Sequence, residues 1–257
     1  AAESATGVMK RIRAASVSFV TEDCLLPMSL SLGVATANDP SVSLDVTFKL
    51  ADHLMYRDKL TAKAATQESI LRALLELLAQ RDFGRAGHNR RLKEWCLFLG
   101  AHFDLSVEQL GELASLADVH DLGVVGLNPD LLLSRHRLTW DDYHLVRQHP
   151  ERGFRIAYSF PELVGAADLI LRHHEAWDGS GYPLGISGTE IPPECRVFAV
   201  VDAFEVMTAG RPYRNPLSPS EAMLELQRGA GGQFDPAVVE KFCFLYRANS
   251  LTTESTL

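Results

Sequence analysis

The sequence predicts a mainly α protein, an all-helical bundle with a small α/β fragment at its N-terminal end. Three observations predict it. From residue 83 onward, apolar side chains recur at three- and four-residue spacing, the period of a helix with one buried face. Helix-start signals recur with them: Ser106 followed by Gln109, and Ser218-Pro219 followed by Glu221. Near the N-terminus the period changes to two. There Met28, Leu30, Leu32 and Val34 alternate with Ser29, Ser31 and Gly33, as in a half-buried strand.

The elements follow in order. Residues 8–15 read as a helix ahead of that strand, and Asn38-Asp39-Pro40-Ser41 as a polar loop. Phe48, Leu50, Ala51, Leu54 and Met55 then repeat at helical spacing. A connecting helix is expected over 61–82, with Thr66 as its N-cap and a stripe of Ile70, Leu71, Leu74, Leu75, Leu77 and Leu78. A packing helix and a self-association surface over 66–82 fit that stripe equally well. Asp235-Pro236 opens the last helix, and glycines 179, 181, 185 and 188 mark one long loop between helices. The expected division is a fragment at 1–62, a connecting helix at 63–82, a main domain at 83–247 and a flexible tail at 248–257.

Composition narrows the function classes. Hydrophobic content of 46% and charged content of 23% are those of an ordinary globular chain, and no run approaches the roughly 20 apolar residues that span a bilayer. A net charge of −8 argues against nucleic acid and against anionic membrane surfaces as partners. It leaves room for a phosphorylated small molecule, because bound divalent ions reverse a local field. The four cysteines, at 24, 96, 195 and 243, show no CxxC spacing. They read as thiols of a reducing cytoplasm, not as a zinc-thiolate site.

The residues that could carry chemistry are histidines and aspartates on apolar faces. In the helix expected over 107–122, Leu110, Leu113, Ala114, Leu116 and Ala117 define the inner face, and His120 and Asp121 continue it. An unpaired buried carboxylate is costly, and a metal ion removes the cost. Before the glycine loop, His173 and His174 follow Ile170 by three and four residues, on the face of Leu163, Ala166 and Ala167. His88 shares a face with Leu92, Trp95 and Leu99. His149 precedes Pro150, and Asp202 sits in the apolar run Val200-Val201-Asp202-Ala203-Phe204. A lone core histidine is more often hydrogen-bonded than ligated, so His88 and His149 weigh little singly. The two adjacent pairs weigh more. His53, His102, His136 and His144 read as surface or packing residues.

The run His120-Asp121-Leu122-Gly123, then His149-Pro150, then His173-His174-Glu175 with Trp177-Asp178-Gly179-Ser180-Gly181-Tyr182-Pro183, resembles the HD-GYP domain of the HD phosphohydrolase superfamily. Thr208, Arg211-Pro212-Tyr213-Arg214 and Phe234-Asp235-Pro236 extend the likeness over roughly residues 66–247. The resemblance implies hydrolysis of cyclic di-GMP to linear pGpG or GMP by a metal-activated hydroxide on two divalent ions, iron or manganese. It places the metal ligands at His88, His120, Asp121, His149, His173, His174 and Asp202, with His120 and Asp121 at the catalytic centre and Asp121 as the bridge. It places substrate contacts at Gly181, Tyr182, Pro183, Arg211 and Arg214. Surface salt bridging fits the two arginines as well. Glu175 and Asp178 are candidates to fix imidazole orientation or simply to order the loop.

Two positions depart from the family pattern. Gly84 stands where a third-metal glutamate is usual, and Val124 where a lysine is usual near the scissile phosphate. Val124 therefore keeps a second reading open: a weakly catalytic module that binds metal and cyclic dinucleotide and signals to a partner. A phosphohydrolase of another nucleotide is a third. The first 60 or so residues resemble the second half of a GGDEF domain, through Ser29-Leu30-Ser31-Leu32-Gly33-Val34-Ala35 and Leu50-Ala51-Asp52 to Met55-Tyr56. That resemblance makes a GGDEF domain a candidate partner.

Overall fold

The structure, a computed structural model, describes residues 2–17, 30–37, 39–80, 88–128, 131, 139–209 and 215–254. The chain divides into two compact units, Ala1–Arg72 and Ala73–Leu257.

In the first unit, α1 spans Ala2–Val17, and α2 begins at Leu44 and runs to Gln80. Asp58 on α2 pairs with Arg13 on α1 and accepts the Leu32 amide at 2.9 Å, so one carboxylate fastens both neighbours. Gly33 allows the contact with α2: a Cβ there would lie 2.0 Å from the Ala51 carbonyl oxygen. The α/β character expected here is not supported. Residues 30–37 form neither helix nor paired strand, and no strand ladder exists among the described residues. The alternation does not mark a buried apolar side: Leu30 and Val34 are exposed, and the residue that meets α2 is Gly33, from the polar set. The connecting helix is not separate either. Leu44–Gln80 is a single helix, and the Thr66 hydroxyl caps nothing, donating instead to the Ala62 carbonyl one turn back.

The second unit, among its described residues, has helices as its regular elements, joined by loops that include one isolated bridge between Ala230 and Phe234. Its elements are α3 (His88–Ala101), α4 (Val107–Val119), a 3₁₀ segment (Leu122–Gly126), α5 (Trp140–Arg147), α6 (His149–Ala157), α7 (Val164–Arg172), α8 (Pro193–Ala209), α9 (Pro219–Gly229) and α10 (Pro236–Glu254). The capping boxes read from the sequence form: Ser106 with Gln109 opens α4, and Ser218 with Glu221 opens α9. A third, Thr139 with Asp142, opens α5. Helix α10 continues to Glu254, into the segment expected to fray.

Helix α8 lies at the centre and packs on α3, α4, α9 and α10. Its Val197, Phe198, Val200 and Val201 are fully buried with Leu92, Leu99, Leu113, Leu116, Ile170 and Phe242. Each such side chain contributes about 1.5–3 kcal/mol on leaving water. The amphipathic stripes therefore fix α3, α4 and α7 around α8, and the helix ends carrying histidine fall together. The Gly123 and Gly153 backbones meet between the 3₁₀ segment and α6. A Cβ on Gly123 would sit 2.0 Å from the His149 carbonyl oxygen, and one on Gly153 2.8 Å from Ile170 Cγ2.

Candidate metal centre

Three histidines use the same local device. His120 caps the C-terminal end of α4, His173 caps that of α7, and His149 follows the end of α5. In each, Nδ1 faces the carbonyl three residues back: Ala117 at 3.3 Å, Ile170 at 2.6 Å and Val146 at 2.8 Å. A carbonyl only accepts, so each Nδ1 carries a hydrogen, and the neutral rings of His149 and His173 turn the Nε2 lone pair inward. This backbone-fixed tautomer is the arrangement found behind metal-ligating histidines.

The inward atoms converge. Nε2 of His149 lies 3.3 Å from Nε2 of His173. Ligand atoms of His149, His173 and His174 all fall within 4.8 Å of one another. Asp121 lies between two of the rings: Oδ2 is 3.4 Å from His120 Nε2 and Oδ1 is 3.6 Å from His149 Nε2. Phe198 packs beneath the rings of His120 and His173. His174 stands over His149 with ring centroids 4.9 Å apart and stacks on Tyr182 at the same separation.

The electrostatics suit a cation. Burial pushes the His173 imidazolium well below its usual range, and the neighbouring His174, His149 and His120 add to this. Burial also lowers His149, and with His149 beside it His174 falls to about 3. These rings are neutral and ready to ligate. Desolvation opposes charge on the other pair, yet Asp121 lifts His120 to about 9, with a smaller push from Asp202. In return His120, then His149 and His173, hold the Asp121 carboxyl well below the carboxylate range against its own desolvation.

These donors fit a divalent metal ion. Two lone pairs facing each other across 3.3 Å are repulsive unless a proton or a cation lies between them. Burial disfavours the proton. Two nitrogens bound at about 2.1 Å to one ion stand roughly 3–3.4 Å apart, so the spacing matches.

The sequence-predicted site residues separate into groups. His120, Asp121, His149, His173 and His174 come together. Asp202 lines the adjoining cavity and acts on His120. His88 begins α3, with its side chain outside the described residues. Gly84, Arg211 and Arg214 also lie outside them. Gly181 and Tyr182 line the cavity, and Tyr182-Pro183 is a cis peptide. Gly181 lets the loop fold back on the histidine segment, since a Cβ there would meet the Ala176 amide at 2.2 Å. Glu175 and Asp178 order that loop. Glu175 Oε1 accepts the Leu184 amide at 2.7 Å, and Asp178 Oδ1 accepts the Ser180 amide at 2.9 Å. Val124 is buried among Leu78, Leu127, Val125 and Val146, with no room for a cation. Of the histidines read as surface or packing, His53, His102 and His144 are exposed, and His136 is outside the described residues.

The cavity of about 790 Å³ opens beside His173 and His174 and reaches Asp202, Gln233 and Phe234. Two features around the histidine cluster were missed in the sequence. Arg147, two residues before His149, places its guanidinium 4.3 Å over the Tyr182 ring. Gly123 was read as part of a motif, but its role as the contact that seats α6 was not. The signal for Arg147 was its position seven residues after Trp140 and four after Tyr143 on one helix face.

Among the described residues, no helix is long and apolar enough to cross a membrane. Comparison with known proteins matches residues 72–238 to the HD domain family. A cyclic di-GMP phosphodiesterase of Thermotoga maritima is 35% identical over 175 residues, covering 67% of this chain and 48% of that protein. The cyclic di-GMP phosphodiesterase response regulator RpfG of Xanthomonas campestris pv. campestris is 31% identical, covering 68% and 47%. The chain thus spans about half the length of the curated relatives it matches. The crystal structure of a cyclic GMP-AMP-specific phosphodiesterase of Vibrio cholerae (V-cGAP3) shares the fold. It has a TM-score of 0.51 and 21% identity, and covers 68% of this chain and 48% of that one.

Proposed function

This chain belongs to the HD domain family, and from that premise we propose that it is a metal-dependent phosphodiesterase of the HD-GYP type acting on cyclic di-GMP. The observation that carries the reading is the pair of buried imidazoles, His149 and His173, whose Nε2 atoms meet at 3.3 Å with both tautomers fixed by carbonyls. The relatives, cyclic di-GMP phosphodiesterases, supply the substrate class.

In this reading His149, His173 and His174 would hold one divalent ion, His120, with His88 and Asp202, would help hold a second, and Asp121 would be shared between them. The opposite orientation of the two Asp121 oxygens supports the bridge. Two bound divalent ions, iron or manganese, would supply Lewis acidity toward a phosphoryl oxygen and activate the attacking water. The chain's own work is positional. The carbonyls hold the rings, Phe198 keeps water from beneath them, and Tyr182 covers His174 at the cavity mouth. Gly181, Tyr182, Pro183, Arg211 and Arg214 are assigned to substrate binding. The catalytic module is placed at 83–247 and in the cytoplasm, with residues 1–62 as a GGDEF-like fragment and helix α2 as a contact for self-association or for a GGDEF domain.

The test is turnover of cyclic di-GMP by protein loaded anaerobically with iron or manganese, followed by chromatography of pGpG and GMP. Product formation that requires metal supports the enzyme. The buried, apolar Val124 favours one other reading, a slow module that binds the dinucleotide and signals. Tight binding of cyclic di-GMP without product would select it, and turnover of 3'3'-cGAMP in preference would select another cyclic dinucleotide.

A further inference from the structure

The cavity beside the histidines has an arginine that nothing so far uses. Arg147 closes the last turn of α5, on the face that also bears Trp140 and Tyr143. Its guanidinium lies 5.6 Å over the Tyr143 ring and 4.3 Å over the Tyr182 ring, and Tyr182 stacks on His174. The cation is therefore one ring removed from the histidine cluster.

Its chemistry is unspent. Stacking on a ring engages the face of a guanidinium and leaves the N–H groups around its rim directed sideways. Among the described residues the Arg147 guanidinium makes no ion pair and no hydrogen bond; ring faces are its contacts. The other arginine on the cavity wall, Arg228, is tied to Glu225 at 2.6 Å. The remaining charged side chains on the described wall, Asp202, Glu175 and Glu225, are acidic. A half-buried guanidinium whose contacts are ring faces keeps its N–H groups available to an anionic group that enters the cavity.

We propose that Arg147 is a substrate-positioning residue that donates its rim N–H groups to a phosphodiester oxygen of the bound nucleotide, with Tyr143 and Tyr182 holding the guanidinium plane. The proposal rests on the phosphodiesterase reading for its substrate. Its cation, its rings and its cavity are independent of that reading.

The test measures dissociation constants by calorimetry on full-chain, manganese-loaded protein, for cyclic di-GMP and for inorganic phosphate. A charge-assisted hydrogen bond contributes about 1.5–3 kcal/mol, so Arg147→Ala weakens binding about ten- to hundredfold. Arg147→Lys, which keeps the charge and loses the planar fork, falls between. Metal content stays at the wild-type value in both variants, and the decline of affinity with potassium chloride becomes shallower in Arg147→Ala. Unchanged affinity for both probes overturns the proposal. So does metal loss in Arg147→Ala that Arg147→Lys does not restore, because the side chain is then structural. If wild-type protein binds phosphate but not cyclic di-GMP, the substrate reading fails and Arg147 is judged on phosphate alone. If wild-type protein binds neither, the proposal falls as well.

Discussion

Gly123→Ala tests how the centre is assembled without touching a candidate ligand. The added Cβ would begin 2.0 Å from the His149 carbonyl oxygen and 2.7 Å from the Gly153 amide nitrogen, where real Cβ contacts essentially never fall below 3.0 Å. Both neighbours are backbone, so no side chain can turn aside. The start of α6 must move by at least about 1 Å, and His149 moves with it. Metal sites tolerate ligand errors of about 0.2 Å, and a misplacement of about 1 Å costs on the order of a hundredfold in rate. Overpacking of a close contact costs about 1–3 kcal/mol. The expected outcome is folded protein, less stable by that amount, that retains under a tenth of the wild-type metal after dialysis. Gly126→Ala is the internal control. It lies in the same 3₁₀ segment, yet its added Cβ meets nothing within 4 Å. Elemental analysis after dialysis and urea unfolding read both variants. Full metal stoichiometry and unchanged stability in Gly123→Ala would refute the reasoning.

His120→Ala and Asp121→Ala should each abolish metal retention and hydrolysis, and full metal content in both would count against the ligand assignment. Stability of the metal-free protein should peak near neutral pH. His149, His173 and His174 have lowered folded-state pKa values, so their contribution is complete above the ordinary imidazole pKa of 6.5 and is lost as pH falls. His120 is raised to about 9, so its contribution is complete below 6.5 and is lost as pH rises through 9. Urea midpoints at acidic, neutral and alkaline pH check the dome, and a flat profile contradicts it. Glu175→Ala should leave metal content intact while speeding amide exchange at Leu184 about tenfold or more, because the loop loses its 2.7 Å acceptor.

The histidine cluster was legible because histidine and aspartate are residue types that apolar helix faces otherwise avoid. His120, His173 and His174 could be placed on inner faces by counting from Leu116 and Ile170, since helical period is a local property. His149 was weak alone, because what identifies it is a nitrogen 24 residues away in sequence. Arg147 and the seating role of Gly123 could not be seen, since a cation is unpaired and a glycine indispensable only relative to neighbours supplied by packing. The strand expected around 28–34 failed for a related reason. Alternation of residue types by itself fixes neither which side is covered nor whether backbone hydrogen bonds find a partner: Leu30 and Val34 stay exposed. The break expected between two helices near residue 61 failed because Thr66 can pay its hydroxyl into the preceding turn and leave α2 continuous.

The carbonyls that fix the three imidazoles belong to helix ends, and that has a consequence for charge balance. Ala117, Ile170 and Val146 lie in the final turns of α4, α7 and α5. Three helix macrodipoles thus present their negative poles to one small volume, each equivalent to roughly half an electron charge. Together with Asp121 they amount to about two and a half negative charges, enough to offset one divalent ion before any further carboxylate is counted. A centre built mainly from neutral rings can then hold cations in a protein interior, and the neutralising field comes from the scaffold and survives any single change of side chain.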